Sequence, residues 1–105
     1  MLRIYQDSLD LIRGLQPLVA SLERKDKDLA RQLRRAATSI PLNIAEGNRR
    51  TGKDKAYHFN VAAGSAAEVA AALEVAHAWG HLPTPEKQLD LLDKIRATLW
   101  RLSNR

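Results

Sequence analysis

The sequence predicts an all-α protein, one antiparallel up-and-down four-helix bundle spanning residues 1–105. Three observations predict it. Apolar residues recur at three- and four-residue steps in four segments. Short turns rich in charge, glycine and proline separate those segments. No run alternates at the two-residue period of a strand, and no repeat or low-complexity stretch competes. A chain of 105 residues is one domain's length with a limited core.

The first helix is expected over residues 3–22, where Ile4, Leu11, Leu15, Leu18, Val19 and Leu22 share one side. Gly14 and Pro17 weaken its middle, so a bend or break is expected there. The second helix, 27–48, has Asp26 or Asp28 as its cap. Leu33, Ala36, Ala37, Ile40 and Ile44 form its apolar side, and Pro41 crowds the carbonyl of Ala37, which predicts a kink. The third helix, 55–79, follows a turn at Thr51-Gly52-Lys53-Asp54, with Thr51 or Asp54 as cap and Gly80 as its stop. The fourth, 85–103, starts with Thr84 as cap and Pro85 at its first position. Leu89, Leu92, Ile95, Leu99 and Leu102 line its buried side.

Helix three is dominated by alanine and is apolar on several faces. Each alanine buries little area, so such a helix wants neighbours on several sides; subunit association supplies them, the alternative being a monomer that encloses this one helix tightly. Its apolar run from Val61 to Leu73 is too short to span a bilayer, which implies a buried helix and no membrane partner. No cysteine is present, which excludes disulfides and thiolate metal sites and fits a reducing, cytoplasmic setting. The N-terminal stretch breaks its apolar residues with charges and has no signal-peptide core.

The net charge of +5 is unevenly placed. Residues 24–55 hold ten Lys or Arg against four Asp or Glu, whereas 56–85 hold no Lys or Arg at all. Basic charge therefore concentrates on helix two and its flanking loops, which by charge alone is equally the electrostatic footprint for a polyanion or a solvated helix face of a basic protein. Arg49, Arg50, Lys53 and Lys55, beside a helix N-terminus, are the first contact candidates. Arg24, Lys25, Lys27 and Arg31, at the other end of helix two, are the second.

Helix two also carries a polar stripe, Arg35, Ser39, Asn43 and Glu46, at helical spacing. Glu68 lies on the otherwise apolar helix three. A carboxylate buried there needs a cation or several donors. The expectation is a buried structural network joining Arg35, Asn43 and Glu46 to Ser65 and Glu68, fixing helix register. No catalytic constellation is complete. Glu46 and Glu68 could be read as an acid–base pair, but nothing else resembles a substrate pocket. Glu74-x-x-His77 is half of a di-iron pattern, and neither His58 nor His81 supplies the second half. The loop from Gly47 to Lys53 lacks the order of a phosphate-binding P-loop. No enzyme activity, metal or cofactor is expected.

The run RRAATSIPLNIAEGNRR (residues 34–50), followed by AAGSAAEVAAALEVA (62–76), resembles the bacterial four-helix-bundle proteins called 23S rRNA intervening-sequence proteins. The resemblance covers residues from about Leu9 to Leu82, and its core is Arg35 to Gly47 with Gly64, Ser65 and Glu68. A more distant group serves as accessory proteins to reverse transcriptases of diversity-generating retroelements. The Ser39-Ile40-Pro41-x-Asn43-Ile44-Ala45-Glu46-Gly47 signature sides this chain with the ribosomal-gene group. The resemblance implies a homopentameric ring, no enzymatic activity, and structured RNA as the nucleic acid. The alternative is a scaffold or accessory subunit that binds a protein partner such as a reverse-transcriptase-like enzyme.

Overall fold

The computed structural model describes residues 2–104, and these form four α-helices with no strand among them. They are α1 (Arg3–Lys25), α2 (Lys27–Asn48), α3 (Gly52–Ala78) and α4 (Glu86–Ser103). Each helix packs on the next, and α4 returns to α1, so the four corners of an elongated bundle close around one core. The bundle measures 42 × 21 × 19 Å. The α2–α3 seam is the most extensive and the α1–α4 seam the least, with α1 and α3 on diagonal corners.

The core follows from the apolar steps. Leu11, Leu15 and Leu22 of α1 meet Leu33, Ile40 and Ile44 of α2, Phe59, Val69 and Leu73 of α3, and Leu92, Ile95 and Leu99 of α4. Phe59 is the one aromatic buried among them; Tyr57, Trp79 and Trp100 stand at 63%, 71% and 65% exposure. Its ring lies against Gly47, where a side-chain methyl would come within 2.8 Å of it. Gly47 therefore sets how closely α2 and α3 approach at their connected ends.

The helix ends depart from expectation in instructive ways. No break occurs at Gly14 and Pro17: α1 runs through both. Pro17 faces outward, so the carbonyl that loses its partner there can be hydrated. Pro41 is likewise inside an unbroken α2. Asp26 ends α1 and starts α2, its backbone N–H donating to the Leu22 carbonyl at 2.7 Å and its carboxylate accepting from Leu29 N at 3.0 Å. Thr51 precedes α3 without a side-chain capping bond, and Gly52 takes a φ of 57° at the turn. The end of α3 is a Schellman motif: His81 N–H donates to Ala76 O and Gly80 N–H to His77 O, both at 2.9 Å, with Gly80 at φ 79°. Pro85, not Thr84, occupies the cap of α4. The Thr84 hydroxyl is drawn instead to His77 Nε2 at 3.3 Å, while His77 Nδ1 donates to the Leu82 carbonyl at 2.9 Å. His77 thus staples the α3–α4 connection.

Two side-chain contacts close the bundle between its first and last helices. Asp7, nearly buried, meets Arg3 at 3.5 Å and Lys94 of α4 at 3.6 Å. Gln88 donates to the Gly14 carbonyl at 3.4 Å. By length and composition α3 is long and apolar enough to cross a membrane, with a mean hydropathy of 1.2 in its most apolar window, more than the 61–73 run suggests. In the bundle 44% of that window is buried.

Candidate nucleic-acid interface

The two basic regions of α2 differ in how far carboxylates already neutralise them. At the α2–α3 turn, Arg50 Nε donates to Glu46 Oε2 at 2.9 Å, and Arg50 also approaches Asp54 at 3.8 Å. Arg49 lies 3.7 Å from the other oxygen of Glu46. The bond from Arg50, then the charge of Arg49, hold the Glu46 carboxyl below its usual range. Lys53 is exposed and Lys55 half-buried, and neither forms an ion pair among the described residues. The four cations of this turn are thus brought together, but two of them already face carboxylates.

The N-terminal half of α2 is different. Leu33, Ala36, Ala37 and Ile40 turn inward, which forces Lys27, Arg31, Arg34 and Arg35 outward on an exposed ridge. None of these four side chains makes an ion pair or hydrogen bond among the described residues. Glu23 at the end of α1 borders the same depression as Lys27, Arg31, Arg34 and Arg35 without pairing with any of them. Nearby, Arg24 is exposed, and Lys25 is committed to the His81 carbonyl at 3.0 Å, joining the α1–α2 corner to the α3–α4 connection. Arg34 lies outside the contact set that the sequence suggests, and Arg35, expected in a buried network, stands on the ridge instead. The signal for both is the i, i+3 and i+4 recurrence of cations from Lys27, which the polar stripe obscures. The ridge lies about 21 Å from the turn, taking Arg35 to Arg49 at ~1.5 Å per residue.

The polar seam between α2 and α3 has other members than expected. Ser65 Oγ donates to Ser39 Oγ at 2.8 Å, and Asn43 Nδ2 donates to Ser39 O and Oγ at 3.0 Å. His58 Nδ1 lies 3.1 Å from Asn43 Oδ1, where it donates. Asn43 and Ser65 belong to this ladder, whereas Arg35 and Glu68 are exposed and bond to nothing among the described residues. Both charges keep their hydration on the outer edges of their helices, which costs less than burying them. Glu46 touches the seam only through its charge on His58. His58 fills the place expected for Glu68, because the turn at 49–51 sets α2 and α3 in register with Asn43 level with His58. Within one chain Glu46 and Glu68 do not meet as an acid–base pair: Glu46 is held at the turn by Arg50 and senses the charge of His58, and Glu68 lies ten residues beyond His58 along α3, about 15 Å. No group of three His, Asp or Glu able to hold a metal occurs among the described residues.

Fold and ridge together define a small basic four-helix-bundle protein. The family model described as 23S rRNA-intervening sequence protein matches residues 1–104, and the chain belongs to that family. The match extends on both sides of the segment from Leu9 to Leu82 that carries the resemblance. None of the curated proteins matches the chain.

Proposed function

We propose that this protein is a non-enzymatic RNA-binding module that engages structured RNA through α2 and its flanking loops as a ring of five subunits. One observation carries the reading: four cations within nine residues, Lys27, Arg31, Arg34 and Arg35, stand on one ridge without a carboxylate partner. Uncompensated charge of this density attracts a polyanion, and each neutralised phosphate releases counterions. RNA is favoured over DNA by the description of the family. Arg24, Lys53 and Lys55 extend the contact, and Arg49 and Arg50 join it less strongly while Glu46 holds them.

Support for self-association comes from α3. Its outward side carries Tyr57, Gly64, Glu68, Ala71 and Val75 at helical spacing, all exposed in the single chain. Glycine in mid-helix costs about 1 kcal/mol relative to alanine. A methyl at Gly64 would meet nothing within 4 Å of its own chain, so the approach of another subunit's backbone gives that glycine a use. Multivalent phosphate binding then raises affinity without any further interaction per subunit. Exposed Trp79, Trp100 and Leu42 favour one second reading, an accessory subunit seated on a protein partner such as a reverse-transcriptase-like enzyme. Nuclease-resistant recovery of a partner from the native host would favour it.

The test is fluorescence anisotropy against structured RNA and duplex DNA of matched length over a salt series. Arg31→Gln, Arg34→Gln and Arg35→Gln combined should weaken RNA binding and lower the salt slope by about one for each phosphate no longer neutralised. An unchanged slope in that variant sinks the ridge. Light scattering on the intact protein should give about five times the 11.7 kDa chain mass.

A further inference from the structure

The cationic ridge borders a groove between α1 and α2 whose other half is not charged at all. Small side chains, Ala20 of α1 and Ala37 of α2, keep the two helices from filling the space between them. The groove holds about 340 Å³. Leu15 and Ala37 are buried in it, and Ile12 and Val19 are half-buried. Arg34 and Glu23 sit in both this groove and the adjoining basic depression of about 260 Å³, so the two form one trough with an apolar end and a basic end. Gln16 and Thr38 add polar groups along the apolar end.

The geometry points to a site for a single unpaired nucleotide of bound RNA, its base against Ile12, Leu15 and Val19 and its phosphate on Arg34 and Arg31. A duplex offers phosphates, ribose hydroxyls and base edges but keeps its base faces stacked, so it has no flat apolar surface to cover the apolar end. An unstacked base brings a flat apolar face and a hydrogen-bonding edge, the combination by which single-stranded segments are recognised. The volume agrees, at the lower end of the ~300–1,000 Å³ of ligand pockets. An acyl chain would satisfy the apolar wall but leave Gln16 and Glu23 facing it without partners, Thr38 already donating to the Arg34 carbonyl at 2.8 Å. The groove lies on the α1–α2 side of the bundle, and its α1 wall is diagonal to α3. This inference rests on the RNA-binding reading of the same ridge and specifies which form of RNA the ridge serves.

The test uses the intact protein and two probes. Nucleoside monophosphates should shift the methyl NMR signals of Ile12, Leu15 and Val19, whereas inorganic phosphate should disturb only the neighbourhood of Arg31 and Arg34. Ala20→Leu with Thr38→Leu fills the apolar end from both walls at exposed positions and keeps every cation. With its thermal midpoint checked against the parent, this variant should bind single-stranded RNA several-fold more weakly, as the base loses its apolar contacts, and duplex RNA unchanged. Monophosphates that shift the methyls no more than phosphate does, or a filled groove that binds single strands normally, would overturn the inference and leave the ridge standing. Nucleotides entering the groove of a protein that binds neither form of RNA would sink the RNA-binding reading and not the groove.

Discussion

Glu46 sets how much positive charge the α2–α3 turn offers to a polyanion. It accepts from Arg50 at 2.9 Å and faces Arg49, so two cations of the turn are already engaged. Glu46→Gln should strengthen RNA binding about two- to threefold at ~50 mM salt, with the gain fading as screening rises; equal affinities at low salt would show the turn lies outside the contact. The pH dependence has a definite sign. A carboxyl held below its ordinary 4.5 by cations favours the folded turn at neutral pH, and that contribution is lost as pH falls through its lowered value. Gly47, one residue on, is decided by packing. Gly47→Ala would drive a methyl to 2.8 Å from the buried Phe59 ring, an overpacking that costs about 1–3 kcal/mol and outweighs the ~1 kcal/mol gain in helix propensity. Urea denaturation should show a lower midpoint. Single residues are the hardest level to read from the sequence. Pairing of Arg50 with Glu46 is visible at i, i+4, but the replacement of Glu68 by His58 in the seam needs the register of two helices that the turn alone defines.

Among the elements, α3 ends most sharply, because Gly80 adopts a left-handed backbone that any side chain strains. Gly80→Ala should destabilise the bundle by about 1 kcal/mol, the ~1–2 kcal/mol left-handed penalty less the entropy removed from the unfolded chain. Calorimetry should show a midpoint about 4–8 °C lower. The number of helices, their order and their buried sides are legible in the sequence, since apolar steps and breakers are local signals. Gly80 is legible for the same reason. The starts of α3 and α4 are less so. The helix α3 begins at Gly52 rather than 55, and Thr84, a good cap by type, is taken by His77 across the connection. Such competition between a local cap and a tertiary partner leaves no trace in residue order. The cationic ridge of α2 is half legible: its charge is plain, but which cations keep carboxylate partners depends on what α1 and the turn place beside them.

At the scale of the whole molecule, the bundle separates its surfaces. An unneutralised ridge and trough lie along α1 and α2, and the outward side of α3, with Gly64 and Ala71 between Tyr57 and Val75, lies diagonal to α1. The seams are unequal. Amides of α2 and α3, joined by the largest seam, should exchange with solvent most slowly, and those of α4 faster. Exchange measured by NMR with α4 the best protected would contradict this order. The Asp7–Lys94 pair gives the weak seam a temporal meaning. Its partners stand almost a full chain length apart, so their encounter carries the largest loop-closure entropy of any ion pair among the described residues. A nascent chain leaves the ribosome first end foremost, at ~5–20 residues per second. Until Lys94 is made, Asp7 has no partner on α4. The two seams of α4 therefore close after those among α1, α2 and α3.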